Sequence, residues 1–192
     1  YLVRHGSTMM NEKGVYQGWT DAPLSETGKQ QCEVVKAKLR QVSFDAIISS
    51  PLERAVRSAQ IITGKNRDRI MTKEALKEFN FGVWEGLNHK EAAAQYPREW
   101  EAWCADWQHS GPPRGENFLN FYQRVEQGYH ELLRSNGDET VLIVSHEGPL
   151  RVIATLLLTL KPEDYWRLSF EFGCYSMFEV TQAIPVMRKI NA

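Results

Sequence analysis

Two short apolar runs near opposite ends of the chain lead into histidines, and this feature most constrains the possible fold. Residues 1–3 precede Arg4 and His5, and residues 141–144 stand just before His146. An apolar run without alternation is typical of a strand covered on both faces of a sheet. Ligands bind at the carboxyl ends of strands in open α/β sheets. We therefore expect Arg4 and both histidines to meet at one ligand site.

Other helix and strand signals follow the same alternation. Ser25 predicts the start of a helix over residues 26–41, and residues 46–48 predict a buried strand. Ser50 and Glu53 have the spacing of a capping box, which predicts that a second helix begins there. The remaining predicted elements are a strand at 70–72, a helix at 118–133, a helix after His146, and strands at 175–180 and 186–190 joined around Pro185.

Tryptophans concentrate in a segment that we expect to form a helical cap, at about residues 82–135 of a single domain over residues 1–192. Trp100, Trp103 and Trp107 have the spacing of one helical face. That face either packs on the core or covers the ligand site, where a tryptophan would stack on a flat aromatic base. The sequence leaves both alternatives open.

Composition narrows the class of partner. The net charge of −1 gives no reason to expect nucleic acid or an anionic membrane. The longest apolar stretch, residues 152–160, is shorter than the roughly 20 residues that span a bilayer, and no signal peptide is visible. The 3 cysteines form no Cys-x-x-Cys pair. We therefore expect buried thiols in a reducing, cytoplasmic setting.

Cationic groups at three predicted strand ends suit a phosphate dianion. Arg4 and His5 follow the first strand, Arg54 follows the second, and His146 follows a later one. Arginine binds phosphate oxygens through a bidentate fork, and a helix N-terminus adds partial positive charge. A neutral imidazole is a competent nucleophile, and nearby arginines lower its pKa. We expect its other ring nitrogen to donate to a backbone carbonyl in the Gly6 loop.

These residues belong to a larger pattern that resembles the histidine phosphatase superfamily, which has the phosphoglycerate mutase-like fold. The resemblance covers nearly the whole chain in the family's order. It is carried by residues 1–8 with Asn11, residues 17–21, residues 50–55, residues 78–86, and Ser145 with His146. It implies a three-layer α/β/α sandwich with a mostly parallel sheet and a helical insertion over the active site.

The resemblance also implies roles for individual residues. His5 would be the nucleophile that forms a phosphohistidine, and Arg4, Arg54 and His146 would hold the phosphate. Glu78 would protonate the leaving oxygen, and no metal or other cofactor would be needed. The secondary contacts to phosphate or substrate would come from Asn11, Gln17, Gly18, Glu147 and Gly148.

More than one glutamate is a candidate for the acid role. Glu78 competes with Glu74 and Glu85 for the acid role, and its apolar neighbours favour the partial burial that raises a carboxyl pKa.

Glu147 stands where many relatives have glycine. Because a carboxylate would oppose phosphate binding, we expect the Glu147 side chain to point away, so that only its backbone N–H matters.

A closer resemblance, to the α-ribazole phosphatase subgroup, bears on the substrate. It is carried by residues 102–109, Gly115 with Glu116, residues 123–126 and residues 173–176. It implies a small phosphate ester as partner, α-ribazole 5′-phosphate or cobalamin 5′-phosphate, with Trp103 and Trp107 near the base.

Three other functions are alternatives to an α-ribazole phosphatase. A phosphoglycerate mutase would share the pocket, but no long insertion of the mutase kind follows Glu78. A broad-specificity or phosphoprotein phosphatase would need an open site, which the tryptophan-rich segment disfavours. A non-catalytic module that binds phosphorylated ligands would not need His5 and Glu78. The sequence does not indicate the oligomeric state.

Overall fold

The computed structural model of the protein describes residues 1–136, 139–181 and 184–192. Its six-stranded sheet has the order β3-β2-β4-β1-β5-β6. Neighbouring strands from β3 to β1 pair in parallel, and β5 and β6 extend the sheet in antiparallel pairing. The strands are β1 (Leu2–Arg4), β2 (Ala46–Ser49), β3 (Met71–Thr72), β4 (Val141–Ser145), β5 (Tyr175–Thr181) and β6 (Ile184–Lys189).

Helices connect the parallel strands. The α-helices are α1 (Met9–Glu12), α2 (Glu26–Leu39), α3 (Glu53–Thr63), α4 (His89–Gln95), α5 (Pro97–Ala105), α6 (Phe118–Asn136) and α7 (Glu147–Leu157). Short 3₁₀ helices lie at Arg67–Arg69, Glu74–Leu76, Gly82–Trp84 and Pro162–Arg167. Among the described helices, none is long and apolar enough to cross a membrane.

The sheet separates two hydrophobic cores. Consecutive residues of a strand point to opposite faces, so Leu2 joins one core while Val3 joins the other. Helices α6 and α7 cover the first face, with Phe121 and Leu150 fully buried. Helices α2 and α3 cover the second face, where Val35 is buried. The predicted three-layer sandwich with a mostly parallel sheet is confirmed.

Several predicted boundaries are confirmed and two local predictions are wrong. Ser25 caps α2 by accepting from the N–H of Gly28. The predicted capping box at Ser50 does not form, because α3 begins at Glu53 and the N–H of Glu53 donates to Asp21 at 2.6 Å instead. Pro185 lies inside β6 rather than in the connection before it; residues 182–183 of that connection lie outside the described part of the chain.

Residues 82–117 form a segment that sits beside the carboxyl ends of the parallel strands. It contains α4 and α5, whereas α6 packs on the sheet as part of the first core. The predicted division into a domain and a cap at 82–135 stays a prediction. Of the cysteines, Cys32 is buried, Cys174 is partly buried and Cys104 is exposed, so the expectation of buried thiols is wrong for Cys104.

Candidate active site

His5 lies at the end of β1 and is 3% exposed. Its Nδ1 is 2.7 Å from the carbonyl oxygen of Gly6. Because a carbonyl only accepts, Nδ1 carries the proton, as predicted, and Nε2 accepts from Nε of Arg54 at 3.4 Å. Burial, followed by the charges of Arg54 and Arg4, lowers the pKa of His5 well below its ordinary value of 6.5. The Nε2 lone pair is therefore available near neutral pH.

His146 follows β4 and precedes α7, and it is fully buried. Its ring centroid lies 4.9 Å from that of His5. Its Nε2 is 2.8 Å from Oγ of Ser50, and its buried Nδ1 has no hydrogen-bond partner among the described residues. Burial, followed by the charge of Arg54, lowers the pKa of His146 well below the ordinary value. A buried polar atom without a partner is costly, so this Nδ1 is suited to contact a ligand.

Arg54, in the first turn of α3, is 1% exposed and held by backbone carbonyls. Its Nη1 donates to Thr20 at 3.0 Å and its Nη2 donates to Gly18 at 2.6 Å. The carboxylate of Asp21 lies 3.6 Å from Nη1. These contacts fix the guanidinium beside His5. Gly18, predicted to contact the substrate, serves here to orient Arg54.

Arg4 completes the cationic cluster. Its guanidinium carbon lies 3.8 Å from the ring centroid of Phe172, and its Nη1 donates to the carbonyl of Phe170 at 3.0 Å. The same Nη1 is 2.8 Å from Oε2 of Glu147. The buried Nε of Arg4 has no partner among the described residues. That edge of the fork is suited to bind an anion.

The prediction that the Glu147 side chain points away is wrong. Its carboxylate bridges Arg4 and Nη2 of Arg151, the latter at 2.6 Å. The reason is that Arg4, from the end of β1, lies beside Glu147, and Arg151, its (i, i+4) neighbour on α7, adds a second cation. The two guanidiniums offset the charge that was expected to drive the carboxylate outward.

Glu78 lines the cavity beside the cationic cluster and contacts the start of α7. It is partly buried, and its Oε1 and Oε2 accept from the N–H groups of Phe79 at 2.9 Å and Gly148 at 3.4 Å. Burial raises the pKa of Glu78, as predicted. A Cβ on Gly148 would collide with this carboxylate, so a side chain there would displace Glu78. Glu85, the competing carboxylate, accepts from the backbone N–H groups of Trp19 and Thr20 and thus holds a loop.

Asn11 and Gln17, predicted as secondary phosphate contacts, are both bound to Thr8. Oδ1 of Asn11 accepts from the N–H and from the hydroxyl of Thr8, each at 3.0 Å. Oε1 of Gln17 accepts from the same hydroxyl at 2.5 Å, and its Nε2 donates to Thr20 at 3.3 Å. These amide groups order the loop that holds Arg54, and their contact with phosphate stays a prediction.

A cavity of about 290 Å³ opens beside the cluster, close to the lower limit of small-molecule pockets. Trp103 and Trp107 line it, together with Glu78, Glu147 and Gly148. Its other lining residues are Tyr16, Phe79, Phe81, Phe118, Arg151, Tyr165 and Trp166.

The three tryptophans do not share one helical face, contrary to prediction. Helix α5 ends at Ala105, so Trp107 leaves the helix and packs on Phe118 at 4.5 Å between ring centroids. Trp100 instead packs on the buried Trp84 at 5.3 Å. Trp100 therefore packs against the core, whereas Trp103 and Trp107 line the cavity, and their stacking on a flat base stays a prediction.

Sequence reasoning missed Arg151, Tyr165 and Trp166. Arg151 stands four residues after Glu147, and this helical ion-pair spacing was the available signal. Tyr165 and Trp166 lie in a 3₁₀ helix remote from every motif, and no local pattern marks them. In the described part of the chain, no group of at least 3 His, Cys, Asp or Glu residues has a metal-binding arrangement.

Comparison with known proteins agrees with this geometry. The profile of the histidine phosphatase superfamily (branch 1) matches residues 1–192. The chain is 33% identical over 192 residues to adenosylcobalamin/alpha-ribazole phosphatase of Escherichia coli (strain K12), covering 100% of this chain and 95% of that protein. It is 34% identical over 193 residues to the protein of the same name from Salmonella typhimurium, with 100% and 95% coverage.

The fold gives the same result. The crystal structure of the alpha-ribazole phosphatase from Shigella flexneri superposes with a TM-score of 0.94 at 33% identity, covering 100% of this chain and 95% of that one. The chain belongs to the histidine phosphatase superfamily, as the sequence motifs predicted.

Proposed function

We propose that the protein is a phosphomonoesterase that acts through a phosphohistidine and needs no metal. The observation that carries the proposal is the pair of His5 and Arg54: an unprotonated Nε2 faces a guanidinium in a buried, cationic pocket. Arg4 and the Nδ1 of His146, which has no hydrogen-bond partner in the described part of the chain, supply further contacts for a phosphate dianion. Prepositioned cations that offset transferred charge supply most of the catalysis in phosphoryl transfer.

The reaction then takes two steps. Nε2 of His5 attacks phosphorus; the P–N bond forms as the ester P–O bond breaks, and Glu78 gives its proton to the leaving oxygen. A water molecule next attacks phosphorus, the P–N bond breaks, and the ionised Glu78 takes the water proton. Inorganic phosphate and the alcohol are the products. The raised pKa of Glu78 supports the role of acid, since the proton must be present near neutral pH.

The substrate that we propose is α-ribazole 5′-phosphate, or cobalamin 5′-phosphate, in the assembly of the cobalamin nucleotide loop. Two observations support it. The relatives named above match over the full chain. The cavity beside Glu78 also carries Trp103, Trp107 and Trp166, whose faces suit a flat benzimidazole base.

A kinetic comparison tests the proposal. We expect kcat/KM for α-ribazole 5′-phosphate to exceed that for 3-phosphoglycerate and for a phosphopeptide by on the order of 100-fold, the discrimination available to a shaped pocket. A flat profile would indicate a broad-specificity phosphatase. Interconversion of 3- and 2-phosphoglycerate would indicate a mutase, and binding without turnover would indicate a non-catalytic module.

A further inference from the structure

The carboxylate of Glu147 lies at the boundary between the cationic cluster and the cavity. It is 2.8 Å from Arg4 and 2.6 Å from Arg151, and the three side chains are 23%, 18% and 17% exposed, respectively. Partial burial strengthens such ion pairs relative to those at a surface. The carboxylate is therefore a fixed negative charge in the wall of the site.

Arg151 is equally fixed. Its guanidinium carbon lies 5.4 Å from the ring centroid of Tyr165 and 5.5 Å from that of Trp166. Its Nε is buried without a hydrogen-bond partner among the described residues. Without Glu147, the Arg151 guanidinium would lack its carboxylate partner beside the cavity, and a guanidinium is the ordinary receptor for a carboxylate. Glu147 occupies that guanidinium.

The cavity beside Glu78 brings this pair close to the position of a leaving group. Glu78 gives its proton to the leaving oxygen, and Glu78 contacts the N–H of Gly148, the residue after Glu147. Glu78, Glu147 and Arg151 all line the same cavity. A leaving group that extends from Glu78 toward the tryptophans therefore has Glu147 beside it.

We propose that Glu147 is a specificity-determining residue that excludes phosphate esters whose leaving group carries a carboxylate and admits those with neutral polyol or nucleoside leaving groups. The proposal rests on the phosphomonoesterase function proposed above, and α-ribazole is such a neutral leaving group. The exclusion has two parts, repulsion between like charges and the loss of Arg151 as a receptor. Rejection of a wrong ligand by an unmatched charge is a general route to specificity.

Two esters with the same three-carbon skeleton test it. Glycerol 3-phosphate has a neutral leaving group. In 3-phosphoglycerate a carboxylate replaces the terminal hydroxymethyl group, so the leaving group carries a negative charge. The measured quantity is the ratio of kcat/KM for 3-phosphoglycerate to that for glycerol 3-phosphate. Where turnover is too slow, the ratio of their affinities replaces it, each affinity being the reciprocal of the constant for competitive inhibition of α-ribazole 5′-phosphate hydrolysis. Glu147→Gln should raise the ratio by about tenfold or more, since a like charge is removed and Arg151 is released.

Arg151→Gln is the matched variant, and it should change the ratio of kcat/KM values in the opposite direction. It leaves the charge of Glu147 less compensated, so the ratio should fall by about threefold or more. An unchanged ratio in Glu147→Gln overturns the proposal, because a residue that only positions Arg4 would affect both esters alike. If Glu147→Gln does not fold, by circular dichroism, then the Arg151→Gln ratio decides, and a ratio that does not fall overturns the proposal. Failure of the wild-type protein to hydrolyse α-ribazole 5′-phosphate would instead contradict the proposed function.

Discussion

Nε of Arg54 lies 3.4 Å from Nε2 of His5, and the opposite nitrogen of that imidazole is 2.7 Å from the carbonyl oxygen of Gly6. The two contacts define one tautomer, with the proton on Nδ1 and the lone pair on Nε2. A donor on one side and a carbonyl on the other leave no place for a second proton. The nucleophile that we propose is thus prepared by its neighbours before any substrate arrives.

Replacing His5 tests the covalent step. His5→Ala should reduce kcat on the order of 10⁴-fold or more, because the nucleophile itself is removed. The same variant should trap no phosphoenzyme when a radiolabelled ester is quenched in alkali and run on a gel. The exposed His89 is the matched control, and His89→Ala should be trapped like the wild type. Substantial residual hydrolysis by His5→Ala would rule out the assignment.

Replacing Glu78 tests the acid role through the leaving group. Glu78→Gln should slow hydrolysis of an alkyl phosphate by about 10²–10⁴-fold, the usual contribution of a general acid. It should slow para-nitrophenyl phosphate far less, since that leaving group needs no proton. The loss of activity that accompanies ionisation of Glu78 as pH rises should also disappear. Glu74→Gln, at an exposed carboxylate, is the control; equal losses on both esters would remove Glu78 from the mechanism.

Two buried neutral histidines make stability depend on pH. Burial lowers the pKa of His5 and of His146 well below 6.5. At these two residues the unfolded chain therefore binds more protons than the folded one as pH falls through 6.5, and their contribution to the free energy of unfolding decreases. Each histidine contributes a slope of up to about 1.4 kcal/mol per pH unit in that range.

Urea unfolding between pH 7.5 and 5 measures this dependence. The slope of the free energy of unfolding against pH should be smaller in His146→Asn than in the wild type, by up to about 1.4 kcal/mol per pH unit. The control His89→Asn, at an exposed position, should retain the wild-type slope. A wild-type slope that survives in His146→Asn would contradict the buried neutral state.

Asp21 combines two roles that can be separated. Its Oδ2 accepts from the N–H of Glu53 at the start of α3, and its Oδ1 lies 3.6 Å from Arg54. Asp21→Ala should lower the free energy of unfolding by about 1 kcal/mol through loss of the cap, and it should raise KM. Asp21→Asn keeps an acceptor for the cap, so it should recover most of the stability.

The KM of the variants tests the second role of Asp21, its charge beside Arg54. In Asp21→Asn the charge beside Arg54 is lost while the amide oxygen remains. We expect KM to stay within about threefold of the wild type, because the Asp21 side chain is 36% exposed and solvent screens its charge. Thermal unfolding and steady-state kinetics give both quantities. Equal stability of the two variants would show that the cap contributes nothing.

Local signals account for the parts of the site that the sequence predicted. The strands that carry His5 and His146 are apolar runs in the sequence, and the Nδ1 contact of His5 is made with the next residue. The apolar neighbours of Glu78 likewise predicted its raised pKa. Each of these properties depends on residues close in the chain, so it can be predicted from the sequence.

The mistaken predictions about Ser50 and Glu147 share a different cause. The hydroxyl of Ser50 lies 2.8 Å from His146, and Asp21 takes its place at the start of α3. Glu147 turns inward because Arg4, from the first strand, lies beside it. Local rules gave a reasonable answer in each case, and a partner remote in sequence overrode it. Such partners are defined by the arrangement of the sheet.

The strand order has a consequence for synthesis of the protein. β4 lies between β2 and β1, so the two earlier strands do not pair with each other. A ribosome must therefore produce residues up to His146 before the first strand can join the second in one sheet. Until then, no strand pairing holds β1, which carries Arg4, in one sheet with β2, which precedes Arg54. Phosphate binding should accordingly begin only when the fourth strand has been translated, and every shorter product should lack it.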